Sequence, residues 1–221
     1  MIFQWMDLTY LAPEMVVFLG AVLVLMLDLV IPHRGKTVLS WVALAVLVTA
    51  LAAALAPNFR VAAALGPRPF AGLVVRDIYS LFFDVVFLFS GALAVLLSMG
   101  YARREGLQQG EYYALLLFAV LGMMLMAVSA ELFSLVISYE ILSLSVYVLC
   151  GIARGKALSA EASMKYFLLG AFASGFLIYG VALVYGATGT TLLEGIRAQV
   201  TTRGLFGNGL LLAGLALITV G

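Results

Sequence analysis

Seven stretches of 17 to 25 residues, each overwhelmingly apolar, follow one another along this 221-residue chain with short polar breaks between them. They cover 9–31, 37–56, 78–101, 112–130, 132–153, 162–186 and 205–221. At 1.5 Å per residue, a helix of about 20 residues crosses the ~30 Å hydrocarbon layer of a bilayer. Lipid offers the backbone no hydrogen-bond partner, so only helices or a closed barrel can span it. Barrel strands are about ten residues long and alternate in polarity; these runs are twice that length and do not alternate. The expected fold is an all-α polytopic transmembrane bundle of about seven helices, a single transmembrane domain over 1–221.

Charge supports the same class. Only 10% of the residues are Asp, Glu, Lys or Arg, against about a quarter in soluble domains, and mean hydropathy is +1.16. Twelve basic and eleven acidic residues, net +1, leave no footprint for nucleic acid. The lipid bilayer is an expected partner. A lone Cys150 excludes a disulfide framework. The first run is not a cleavable leader: it lacks a basic start, carries Asp7 and Glu14, and shows no small-residue cleavage site before Asp28.

The breaks are punctuated as membrane loops are. Pro32 with His33, Arg34, Gly35 and Lys36 closes the first run, and Pro57 the second. Arg103, Arg104 and Glu105 follow the third, and Arg154, Gly155 and Lys156 the fifth. Trp5, Tyr10, Trp41, Tyr79, Tyr101, Tyr112, Tyr113 and Tyr185 are expected at headgroup level. All five prolines precede Phe70, so no later span carries a proline kink. Arg34, Lys36, Arg103, Arg104, Arg154 and Lys156 fall in three short loops on one side. Arg60, Arg68, Arg76, Arg197 and Arg203 are spread over longer loops on the other. The denser short loops are read as cytoplasmic, which puts the N-terminus outside. The last run stops at Gly221 without a charged or aromatic anchor, so the sequence is expected to be the front part of a longer chain.

Five ionisable side chains fall within the runs: Glu14, Asp28, Asp84, Glu140 and Lys165. Such groups are expensive in lipid, so each is a candidate site. Glu14 and Asp28 lie near the ends of the first run, where a carboxylate is expected to reach headgroup water. Asp84 has no partner that the sequence names, and Asp77 is expected to cap the helix that begins at Ile78. Glu140 falls near mid-span, with Ser143 and Tyr147 on its helical face. Counting 1.5 Å per residue, Lys165 on the next helix comes within about 7 Å of its depth. A nearby cation would let such a carboxyl exchange its proton. Each has a plainer reading: Glu140 as a structural buried acid, Lys165 as a side chain snorkelling to the headgroups. Small residues at Gly170/Ser174 and Ala171/Gly175 permit close helix approach, and Met123, Met124 and Met126 read as adaptable core. There is no Cys/His cluster, glycine-rich phosphate loop or nucleophile–base pair, so no cofactor or metal is expected to be held in this chain.

Several segments resemble a known family. Tyr139-Glu140-Ile141-Leu142-Ser143-Leu144-Ser145-Val146-Tyr147-Val148-Leu149 is similar to the fifth-helix motif of the subunit N family of bacterial NADH–quinone oxidoreductase, respiratory complex I. Glu161-Ala162-Ser163-Met164-Lys165-Tyr166-Phe167-Leu168-Leu169-Gly170-Ala171-Phe172 resembles the sixth, continuing through Tyr185-Gly186-Ala187-Thr188-Gly189-Thr190. Leu11-Ala12-Pro13-Glu14 and Phe70-Ala71-Gly72-Leu73-Val74-Val75-Arg76-Asp77 resemble its first helix and second loop.

The resemblance implies an antiporter-like, non-redox subunit of the complex I membrane arm in a bacterial inner membrane. It moves protons through Glu140 and Lys165 when quinone is reduced elsewhere. NADH, flavin, iron–sulfur clusters and quinone are then handled by other subunits. Members of the family have about fourteen helices in two inverted repeats, so the second repeat is absent from this sequence. Two alternatives stay open: a subunit of a multi-subunit sodium/proton antiporter, and a structural or assembly protein whose buried charges only fix helix register.

Overall fold

The computed structural model describes residues 5–32, 36–56, 59–60, 64–105 and 110–221, the first two by backbone alone. After a 3-10 turn over Trp5–Leu11, eight named α-helices follow among the described residues. They are α1 (Ala12–Val30), α2 (Thr37–Leu55), α3 (Ile78–Arg104), α4 (Gly110–Val128), α5 (Leu132–Cys150), α6 (Ala157–Thr188), α7 (Leu193–Arg203) and α8 (Gly209–Val220). The first six are long and apolar enough to cross a membrane; α8 is shorter. Six of the seven predicted spans thus become helices near their expected limits. The third runs on to Arg104, and the sixth extends at both ends.

Two features depart from the sequence reading. The segment between the sixth and seventh runs contains α7, whose mixed polar composition had read as loop. The seventh run starts as a 3-10 turn over Leu205–Gly207, and its helix begins only at Gly209. Asn208 sets that start by accepting hydrogen bonds from the Leu210 and Leu211 amides. The expected breaks at His33, Arg34, Gly35 and Pro57, and the Trp5 ring, lie outside the described residues.

Helix starts follow local chemistry. Pro13 occupies the first turn of α1, where a missing amide proton matters least. Asp77 and Ser80 form the expected capping box on α3: Asp77 Oδ1 accepts from the Ser80 amide at 2.8 Å, and the Asp77 amide donates to Ser80 Oγ at 3.0 Å. Replacing Asp77 with Ala should cost about 1 kcal/mol. Thermal unfolding of the detergent-solubilised full-length protein would show this, and D77N should retain most of the stability. Glu131 caps α5 through the Ser134 amide at 2.7 Å.

The largest core lies among α1–α4. Val17, Ala21 and Val24 of α1 meet Leu39, Ala43 and Leu47 of α2, Leu88 and Val95 of α3, and Leu117, Val120 and Met124 of α4. Buried Met124 fits the expected methionine core. Tyr113 is also buried there, whereas Trp41, Tyr79, Tyr101 and Tyr185 are exposed as headgroup-level aromatics should be. The inward turn of Tyr113 corrects the expectation for that residue: one helical step beyond Tyr112 faces the α1–α4 core.

α5 joins this core through α4 at a very close approach. A Cβ on Gly122 would stand 2.7 Å from the Leu142 amide nitrogen and 2.9 Å from the Ser138 carbonyl oxygen. α6 packs on α5 and on α8. On α6, Gly170 receives the Tyr147 side chain from α5, and Gly180 faces the Gly214 backbone of α8. Of the two small-residue pairs predicted on α6, Gly170/Ser174 is buried. Gly175, of the other pair, faces open space.

Both ends of the bundle are tied. At one end, Asp28 of α1 pairs with Lys36 at 2.9 Å and accepts the Gly110 amide of α4 at 2.8 Å. Lys156 pairs with Glu105 nearby, across two loops. The hydrogen bond and charge of Glu105 hold the Lys156 ammonium above its ordinary range. At the opposite end, the loop before α3 is laced to the α4–α5 junction. The Val75 amide donates to the Val128 carbonyl at 2.8 Å and the Ala130 amide to the Leu73 carbonyl at 2.9 Å. The Leu132 amide donates to Thr191 and the Leu193 amide to Ala130, tying in the segment after α6.

Candidate functional site

Glu140 is the ninth residue of α5, about 12 Å along the helix from Leu132. It is half-buried, and its Oε1 is buried with no hydrogen-bond partner among the described residues. Glu140 lines a crevice of about 640 Å³ between α5 and α6, with Val136, Ile137, Ile178, Val181 and Tyr185. The polar stripe expected around it is present in position but not in bonding. The Ser143 hydroxyl donates to the Tyr139 carbonyl at 2.9 Å, within its own helix. The Tyr147 ring packs edge-on against Tyr166 and Phe167 of α6. Ser138 and Ser145 also donate back to carbonyls four residues earlier, so these α5 serines satisfy their hydroxyls within the helix and leave the carboxyl unmatched.

Lys165 does not supply the missing partner. Its side chain is 70% exposed and pairs with Glu161 one turn earlier, at 2.5 Å. The face of α6 that meets α5 carries Ser163, Gly170 and Ser174. Ser163 Oγ donates to the Tyr147 carbonyl at 2.9 Å, and Gly170 abuts the Tyr147 ring. At 100° per residue, Lys165 is turned roughly 180° from that face. The expected Glu140–Lys165 pair is therefore corrected. The two residues also differ in depth: Gly151 packs on Ser163 and Val136 on Leu177 and Val181, which sets Glu140 level with the stretch near Ser174, about 13 Å along α6 from Lys165.

The structure instead assembles a charge cluster that the sequence reading split apart. The Arg76 side chain is 0% exposed. Its Nη1 donates to Glu14 Oε1 of α1 at 2.8 Å. Its Nη2 lies 2.7 Å from Asp84 Oδ2 of α3, in ion-pair contact but off hydrogen-bond alignment. The guanidinium carbon stands 4.3 Å from the centre of the Phe59 ring, within cation–π range. Glu14 is 2% exposed and Asp84 0%, so Glu14 is not the headgroup-level carboxylate expected, and Arg76 is not a solvated loop cation. Asp28 does stay at a helix end, held by Lys36 and the Gly110 amide.

The loop before α3 explains how Arg76 gets inside. Phe70 and Ala71 adopt left-handed backbone (φ 54° and 56°), a conformation that costs about 1–3 kcal/mol per residue. The Arg76 amide donates to the Pro67 carbonyl at 3.0 Å. Val75 and Leu73 are pinned to the α4–α5 junction, so the residue between Val75 and the Asp77 cap is directed into the bundle. A signal for this lay in the sequence. Two acids lie within spans at one end, and a single arginine directly precedes the helix that carries one of them.

Comparison with known proteins agrees with this architecture. A family profile described as "NADH:quinone oxidoreductase/Mrp antiporter, TM" matches residues 129–221. NADH-quinone oxidoreductase subunit N of Trichlorobacter lovleyi is 39% identical over 222 residues, covering 100% of this chain and 44% of the relative. A chain of respiratory complex I from Thermus thermophilus, solved with bound aureothin, superposes with a TM-score of 0.71 at 31% identity, covering 95% of this chain and 42% of that one. A chain of the archaeal membrane-bound sulfane sulfur reductase superposes at a TM-score of 0.70 and 24% identity, a likeness of fold alone. The chain thus spans less than half the length of the relatives it matches. Its full-length alignment with those relatives, the antiporter-type profile and the shared bundle place it in the subunit N family of NADH-quinone oxidoreductases.

Proposed function

We propose that this sequence is the antiporter-like part of a proton-translocating, non-redox subunit of an NADH:quinone oxidoreductase membrane arm. Residues 1–221 form one transmembrane unit of a longer protein in that reading, and the second inverted repeat lies outside them. The observation that carries it is Glu140: an ionisable group at mid-span, beside a crevice, with a buried oxygen that nothing in the described residues satisfies. A group in that position marks a proton path far more often than a structural contact. Lys165 is the second site residue. Its cation stands on the exposed face of α6 with Leu168, Leu169 and Phe172, a face that suits contact with further protein better than lipid. NADH, flavin, iron–sulfur clusters and quinone belong to other subunits of the assembly.

Loop charge supports an outside N-terminus. Arg76 is bound to Glu14 and Asp84, so four loop cations remain at that end against six at the other. The sodium/proton antiporter reading shares the family profile. The named relatives favour the quinone oxidoreductase, and flavin and iron–sulfur absorbance in the complex purified with the full-length protein would decide between them.

The test of the site is E140Q in the full-length subunit within its complex. The amide keeps shape but cannot exchange a carboxyl proton. Fewer protons should be moved per NADH oxidised in sealed vesicles, while complex assembly stays unchanged. Normal proton movement in both E140Q and K165A would overturn the assignment and leave the structural reading.

A further inference from the structure

We infer that the Glu14–Arg76–Asp84 cluster is a second, separate proton-binding site, which holds one hydrogen ion on a carboxyl of Glu14 or Asp84 at neutral pH. The inference rests on charge count and enclosure. Two carboxylates and one guanidinium carry a net charge of −1 when all are ionised. All three side chains are at most 2% exposed. An uncompensated charge in such a place costs several kcal/mol, and neighbouring carboxylates cannot both stay ionised cheaply when only one cation serves them.

Among the described residues no other group offers the missing charge. α2 carries no ionisable residue, and on α4 these are confined to Glu111, Tyr112 and Tyr113 at the opposite end. On α1 and α3 themselves, Asp28 and Arg103 and Arg104 are likewise at that far end. Near the cluster, Asp77 and Glu131 cap helices and Arg68 pairs with Glu194. Asp7 and Tyr10 are half-buried on the turn before α1, while Arg60 and Tyr79 are exposed.

The unmatched atoms indicate where the proton fits. Glu14 Oε2 and Asp84 Oδ1 are buried without a hydrogen-bond partner among the described residues. Glu14 also lines a cavity of about 400 Å³ with Met15, Phe18, Phe118 and Leu125. A proton needs only one of these oxygens. A metal cation would need several ligands and would be repelled by the guanidinium. Binding is simple protonation, with the O–H bond formed on a carboxylate oxygen and no other bond changed.

The site is independent of Glu140, so the two proposals fail separately. The test is infrared difference spectroscopy of the intact complex at neutral pH, comparing wild type with D84N and with E14Q. The protonated-carboxyl carbonyl band of one group should disappear in each single variant, because either amide leaves a balanced one-to-one pair with Arg76. The same band should shift in heavy water, and E140Q should retain it. Spectra of D84N and E14Q that match wild type in this region would overturn the inference. So would failure of both variants to assemble, since a cluster already neutralised by one proton does not need both acids charged.

Discussion

Replacing Arg76 with leucine should destabilise the full-length protein by about 3–5 kcal/mol, the usual result of removing one member of a buried ion cluster. Glu14 and Asp84 would then face each other with no cation, in a place sealed by Phe59 and the loop before α3. Typical stabilities are about 5–15 kcal/mol, so much of the protein's margin would be lost and little subunit should accumulate in membranes. R76K should be intermediate, because an ammonium is a point charge that cannot fork between two carboxylates. A double variant, E14Q with R76L, should recover part of the loss through the coupling expected of contacting residues. Subunit content of membranes and thermal unfolding would register all three. Wild-type accumulation of R76L would show that the cluster does not hold the bundle together.

Gly122→Val should have the second largest effect. The added Cβ meets backbone atoms of α5, the Leu142 amide nitrogen and the Ser138 carbonyl oxygen, so no side chain can swing aside to accept it. Helices α4 and α5 must separate, at a cost of about 3 kcal/mol for overpacking of this kind. Because Glu140 is carried on that stretch of α5, proton movement should fall along with stability. G175A is the internal contrast: its Cβ meets open space, and the gain in helix propensity should leave the protein as stable as wild type or slightly more so. Equal unfolding temperatures for G122V and wild type would contradict the close α4–α5 seam.

Hydropathy made the spans legible because each must be apolar over about 20 residues to lie in lipid. It could not reveal α7, which carries Glu194, Arg197 and Arg203 and buries none of its residues. Depth arithmetic on Glu140 and Lys165, counted from assumed helix ends, gave neither their true offset along the bundle nor the direction around the helix. The direction was nonetheless written in Ser163, Gly170 and Ser174, whose spacing marks the face of α6 that meets α5. Arg76 was missed for a different reason. A charged residue just outside a helix reads as a loop cation, and only the backbone lacing of Leu73 and Val75 turns it inward.

Sixty-two residues separate Glu14 from the guanidinium that balances it. A chain made from its N-terminus at the ribosome therefore delivers α1 to the insertion machinery well before its countercharge has been synthesised. Until Arg76 and α3 emerge, the first helix carries a lone acid that lipid tolerates poorly. Biogenesis of this protein thus favours release of α1, α2 and α3 into the bilayer as one cohort, and not singly in order of synthesis.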